Sequence, residues 1–229
     1  MENTIEQWDQ AAQSYADFHS TSPYALFCKE FIRNQFKNVR NLTVLDAGCG
    51  DGDYVHILAQ NGGIVTGCDG SAEMLKIAKA TYPKYRFDMA DLLGELPYTN
   101  DSFDIVLCNL VLMDIDPIDN AIHEFHRVLK KGGLFLFSIV HPAFYPGEWE
   151  FDEQGKAMCK KIFGYITHQT LPTVWLGQNL TTHYHRTVSY YFNHMAQAGL
   201  AFKEMFEPSV YKEPKSHDLP LYLFAEFAK

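Results

Sequence analysis

From residue 42 onward, short apolar runs alternate with stretches whose apolar positions recur every three or four residues. "LTVLD" (residues 42–46) predicts a strand and Gly52 to Gln60 a helix. "IVTGCD" predicts a second strand, followed by a helix from Ser71 to about Ala80. "YRFDMA" and "SFDIVLCN" predict the third and fourth strands. In "IDNAIHEFHRVLKKGG", Ile118, Ile122, Phe125 and Leu129 share one helical face, and Lys130 and Lys131 with glycine beyond predict the helix end. "LFLFSIV" then reads as a fifth strand. Strand–helix alternation of this kind predicts an α/β fold, a mostly parallel sheet with helices on both faces.

The two ends follow other patterns. Residues 5–18 and 23–39 predict two helices, the second opened by Ser22 as N-cap and Pro23 in the first turn. Near the C-terminus a helix begins around Thr187 and closes at Gly199. "AFKEMFE" and "LYLFAEFA" follow it as strands with no helix between them, hence antiparallel neighbours. The expectation is one domain: an N-terminal helical cap (1–40), a core (41–141), an insertion (142–186), and a C-terminal helix and β-hairpin (187–229). A structureless loop as long as the insertion is improbable in a compact domain, so it is expected to fold as a lid beside the fifth strand.

Composition narrows the partners. The chain has 229 residues, with 19 basic against 28 acidic side chains and a net charge of −9, which argues against nucleic acid or anionic lipid. Five scattered cysteines without a C-x-x-C pair suggest neither a disulfide framework nor a zinc site. The start "MENTIEQWDQ" does not resemble a signal peptide, and no run reaches the roughly 18–20 apolar residues that span a bilayer. A cytoplasmic protein without membrane or metal is expected; oligomeric state is not legible.

The candidate chemistry sits where the first strand runs into the first core helix, at Asp46-Ala47-Gly48-Cys49-Gly50-Asp51-Gly52-Asp53. Ligands in open α/β sheets bind outside the carboxyl ends of the strands. A G-x-G-x-x-G/A dinucleotide turn would need a small residue where Asp53 stands. Asp51 and Asp53 at the helix start would also repel a pyrophosphate. The turn therefore favours a ligand without phosphate. S-adenosylmethionine, with an ammonium, a sulfonium and one carboxylate, is such a ligand. Asp69, ending the second strand 19 residues after Gly50, is placed to accept from both ribose hydroxyls, and Asp91 after the third strand to accept from an adenine amino group.

With these residues in view, "VLDAGCGDG", "GCDGSAEML", "MADLLGELPYTNDSFDIVLCNLVLMDI" and "RVLKKGGLFLFSIVHP" resemble the successive motifs of class I S-adenosylmethionine-dependent methyltransferases. The likeness is greatest to the small-molecule group that includes the quinone-biosynthesis enzymes. It covers residues 40–140 strongly and the terminal hairpin more loosely. The resemblance implies a Rossmann-like, doubly wound, seven-stranded sheet with a reversed C-terminal strand, and methyl transfer to oxygen, nitrogen or carbon of a small molecule. It implies that Asp46, Ala47, Gly48 and Gly50 frame the methionine end of the cofactor and that Asp69 holds its ribose. Gly70, Ser71 and Met74 would line the adenosine pocket, with Asp91 and Leu92 at the adenine edge. Asn109 would sit beneath the sulfonium, and Tyr15 would close over the cofactor.

Two other readings compete: a cofactor-binding regulator without turnover, and a nicotinamide dehydrogenase, which the turn disfavours. His123 and His126, off the apolar face of their helix, read as solvated rather than as ligands. "HYHR" (183–186) reads either as a substrate contact or as a strand edge. His141, before Pro142 at the end of the fifth strand, is the candidate general base; its alternative role is to anchor the insertion.

Overall fold

Five parallel strands carry the core: β1 (Thr43–Ala47), β2 (Ile64–Asp69), β3 (Arg86–Met89), β4 (Phe103–Asn109) and β5 (Leu129–Val140). The computed structural model describes residues 4–145, 147–175, 179–209 and 219–229. The first three residues, and Pro146 and residues 176–178 of the expected insertion, lie outside these. Insertion strands β6 to β9 come next in the chain, and two C-terminal strands, β10 (Ala201–Phe206) and β11 (Tyr222–Ala228), complete the main sheet. Its order is β10-β11-β5-β4-β1-β2-β3. Only β11 is reversed: it runs antiparallel to both neighbours, so β10 points the same way as β5. The two terminal strands are antiparallel neighbours and only the last is reversed, as expected.

Successive residues of a strand face opposite sides of its sheet, and here both sides are covered. Val44 and Ile105 pack into one core with Cys28, Ile32, Val55 and Leu58. Leu45 and Val106 pack into the other with Ile118, Ile122 and Phe125. The first core is closed by α2 (Pro23–Gln35) and α3 (Asp53–Gln60), the second by α5 (Asp119–Val128) and α6 (Val188–Gln197). Ile122 and Phe125 are fully buried, each contributing about 1.5–3 kcal/mol. The expected caps are present: Ser22 accepts from the Tyr24 N–H, Ser71 from Met74, and Thr187 from Tyr190. Ser71 opens α4 (Ala72–Thr81).

The helix expected to run through Lys131 stops at Val128. Leu129 is already extended and pairs with Phe103. Lys130 reaches Asp104 at 2.8 Å, and Gly132 and Gly133 exchange backbone hydrogen bonds with Lys229. These distant partners outweigh the local helix-end signal.

The insertion folds as two hairpins, β6 (Glu148–Phe151) with β7 (Ala157–Lys161) and β8 (Gln169–Trp175) with β9 (Asn179–His185). The second hairpin lies against α1 (Thr4–Thr21), which also packs on α4 and α2. This places α1 and the insertion over the carboxyl ends of the parallel strands. Among the described residues no helix is long and apolar enough to cross a membrane.

Candidate functional site

Gly48 and Gly50 both have positive φ, 77° and 50°. A Cβ at Gly48 would lie 2.5 Å from Val111 Cγ2, so only glycine fits. A Cβ at Gly50 would meet nothing nearer than Tyr15 Cε1 at 3.8 Å and Met74 Sδ at 4.0 Å, and would project into a cleft. The Asp69 carboxylate fixes this turn, accepting from the Gly50 N–H at 2.9 Å and the Ser71 N–H at 2.8 Å. Burial raises the Asp69 carboxyl above its ordinary range, against the lowering pull of the Ser71 and Gly50 N–H groups.

The cleft is lined by Tyr15, Gly48, Gly50, Asp69, Gly70, Ser71, Met74, Asp91, Leu92 and Asn109. The structure thus brings ten of the expected cofactor residues to one surface. Asp46 and Ala47 are buried at the end of β1 and line neither this cleft nor its neighbour. Asp46 Oδ2 has no hydrogen-bond partner, and burial pushes its carboxyl well up. Sequence reasoning missed Trp8, Leu110, Val111 and Asp114, which also line the cleft. Leu110 holds a left-handed φ of 57°, a strain that accompanies functional sites. Its N–H is pinned by the backbone and hydroxyl oxygens of Ser138, whose hydroxyl donates to Asn109.

Asp51 and Asp53 do not rim the cleft. Asp51 pairs with His19 of α1 at 2.7 Å, and Asp53 pairs with Lys29 of α2. Burial would raise the Asp53 carboxyl, but Lys29, Tyr82 and His19 together hold it below its ordinary range. Their expected electrostatic veto on phosphate is therefore spent on docking the N-terminal helices. His19, Asp51 and Asp53 are also the one His/Cys/Asp/Glu cluster of metal-binding size among the described residues, and Lys29 already supplies its cation. His123 and His126 belong to no such cluster.

A second cavity, about 550 Å³, adjoins the first, and Trp8, Tyr15, Leu110 and Asp114 face both. Its remaining walls come from α1, α2, α3, the loop after β4, the end of β5, the insertion and β11, among them Tyr24, Tyr54, Tyr145, Trp149 and Tyr222. Asp114 is buried, and burial pushes its carboxyl well up against the opposing pull of Arg186. The "HYHR" segment fastens the Leu112–Asp116 loop that carries it. Arg186 donates to Leu112 O at 2.9 Å, Ile115 O at 2.6 Å and Asp116 Oδ1 at 2.7 Å, and the Tyr184 N–H donates to Met113 O at 2.6 Å.

His141 is not where a base must be. It lines neither cavity, and both its ring nitrogens are engaged, Nδ1 by the Ala143 N–H at 3.2 Å and Nε2 by Glu207 Oε1 at 2.6 Å. This geometry suits its anchoring role, tying the start of the insertion to the segment after β10.

The fold is Rossmann-like, and the cleft lies across the carboxyl ends of β1 to β4. Residues 45–137 match the family described as a methyltransferase domain. The chain is 30% identical over 138 residues to a ubiquinone biosynthesis O-methyltransferase of Hydrogenovibrio crunogenus, covering 58% of this chain and 55% of that one. It is 33% identical to a malonyl-[acyl-carrier protein] O-methyltransferase of Buchnera aphidicola, covering 61% and 56%. It thus spans little more than half the length of these curated relatives. A solved S-adenosylmethionine-dependent methyltransferase of Mesorhizobium loti superposes with a TM-score of 0.75 at 27% identity, over 87% of this chain and 96% of that one. Residues 45–137 thus carry a methyltransferase domain, and the fold is that of solved S-adenosylmethionine-dependent methyltransferases.

The residues present fit the cofactor this family implies. Each Asp69 oxygen, with one backbone partner, retains acceptor capacity for a hydroxyl. The cradle at Gly50 is one that any Cβ would occupy.

Proposed function

We propose that this protein transfers a methyl group from S-adenosylmethionine to a small molecule held in the second cavity. The observation that carries the reading is the pairing of two cavities across four shared residues, one fitted to the cofactor and the other of ordinary small-ligand size. Bound S-adenosylmethionine supplies a methyl group already activated by its sulfonium. Asp69 would hold the ribose, Gly48 and Gly50 would let backbone approach the methionine part, and Met74 and Leu92 would flank the adenosine. Tyr15 and Trp8, packed edge to face at 5.3 Å on α1, would exclude water from the junction. The protein's main contribution is alignment, the largest lever in such a displacement.

Calorimetric titration with S-adenosylhomocysteine and with nicotinamide dinucleotide tests the cleft. Binding of the former in preference to the latter is expected; the reverse would return the dehydrogenase reading. Incubation with methyl-labelled cofactor and a small-molecule extract tests transfer. Binding without any label transferred would leave a regulator instead of an enzyme.

A further inference from the structure

The chamber beside the cleft holds a carboxylate with no use in the fold itself. Asp114 is 7% exposed and faces both cavities, yet its side chain accepts no hydrogen bond from any described residue. The nearest group able to carry charge, His183 Nδ1, stands 3.9 Å away. Burial, with His185 and Arg186 nearby, pushes that imidazole down to about 4, so it is neutral near pH 7 and offsets nothing. Arg186 is committed to two loop carbonyls and to Asp116. The fold therefore rigidly positions a buried carboxyl whose ionised form has no ion-pair or hydrogen-bond partner among the described residues beyond the distant His183. Such a group costs free energy unless a cation or strong donor completes it.

The surroundings suit a cation. Tyr24, Tyr54, Tyr145 and Trp149 line the chamber, with Trp8 and Tyr15 at its junction with the cleft. Aromatic faces attract positive charge. The two groups of the wall able to carry positive charge are engaged elsewhere: His19 with Asp51, and Lys160 over the Trp149 ring, 5.2 Å from its centroid.

We propose that Asp114 is the recognition residue for the methyl acceptor and that the acceptor is an amine, a basic nitrogen on an apolar or aromatic body. This rests on the methyltransferase reading above. A carboxylate acceptor would set a second negative charge against a buried one. A neutral hydroxyl would donate one hydrogen bond and leave the charge in place.

The test uses the full chain saturated with S-adenosylhomocysteine and three probes of one size: 2-phenylethylamine, 2-phenylethanol and 3-phenylpropionate. Binding is followed by tryptophan fluorescence, since Trp8 and Trp149 line the chamber. The amine is expected to bind about tenfold or more tighter than either competitor, as a charge-assisted hydrogen bond implies. Asp114→Asn should erase that preference while weakening S-adenosylhomocysteine far less. The proposal falls if the alcohol or the acid binds wild-type protein as well as the amine does, or if the preference survives in folded Asp114→Asn. Should the variant not fold, the wild-type ranking decides alone. Failure of wild-type protein to bind S-adenosylhomocysteine would overturn the methyltransferase reading itself, and this inference with it.

Discussion

The two cavities are built in opposite ways. The cleft is made of strand ends and the turns that follow them, and its key contacts are short: Asp69 to Ser71, Asp91 to Leu93, Ser71 to Met74. The chamber is made of side chains from α1, α2, α3, the loop after β4, the end of β5, the insertion and β11, brought together only by the finished fold. A site written in backbone tolerates few substitutions and is shared across a family. A site written in side chains can be refitted to a new acceptor without disturbing the first.

The sharpest way to break the contrast is at the turn. Gly48→Val should lose S-adenosylhomocysteine affinity by more than about a hundredfold, because the new side chain meets Val111 and φ is left-handed. Calorimetry on protein shown folded by circular dichroism checks it; retained affinity would mean the cleft is not written in backbone.

Asp69→Asn should cost roughly ten- to a hundredfold in the same affinity. Because burial raises the Asp69 carboxyl, wild-type affinity should begin to fall on acidification at a higher pH than an ordinary aspartate would give. The variant's affinity should be flatter over that range, and titrations at several pH values compare the two.

In the chamber the sign reverses. The Asp114 carboxyl is raised in the folded state, so its ionisation opposes folding. That cost is fully present above the folded pKa and disappears as pH falls to the unfolded value of about 3.9. Asp114→Asn should therefore raise the melting temperature of ligand-free protein near pH 7–8, by about 2–4 °C for each kcal/mol recovered. The gain should vanish near pH 4. A variant less stable than wild type at pH 8 would show that Asp114 has a structural partner after all.

The smallest effect on chemistry is expected at His141, outside both cavities. His141→Ala should leave label transfer within about tenfold of wild type, short of the loss of a general base. It should still cost about 1–2 kcal/mol of stability through the broken Glu207 contact, read by thermal melting.

What was legible in the sequence follows the same division. The strands, the caps at Ser22 and Ser71, the glycine turn and Asp69 were readable because each depends on neighbours a few residues away or on one strand end beside another. Asp51 and Asp53 were read as charges repelling a pyrophosphate because their partners, His19 and Lys29, lie more than 20 residues upstream. The end of α5 was misplaced because Asp104 and Lys229 claim Lys130 and the glycines after it. Asp114 carried no local signal at all. Its significance depends on Arg186, some 70 residues later, fastening its loop beside aromatics from five other segments.

Helix α1 has a consequence for traffic. It carries Trp8 and Tyr15, which face both cavities, and it is clipped down by Asp9 to Ser71 at 2.6 Å and by His19 to Asp51. Two guests thus share one door. Because one helix walls both cavities, a movement of α1 would open the cofactor and acceptor sides together. On the proposed methyl-transfer reading, release past α1 is expected to set the pace of repeated turnover. Its kinetic signature is a burst of one labelled product per chain before a slower steady rate, and a trace without that burst would return the pace to the methyl transfer step.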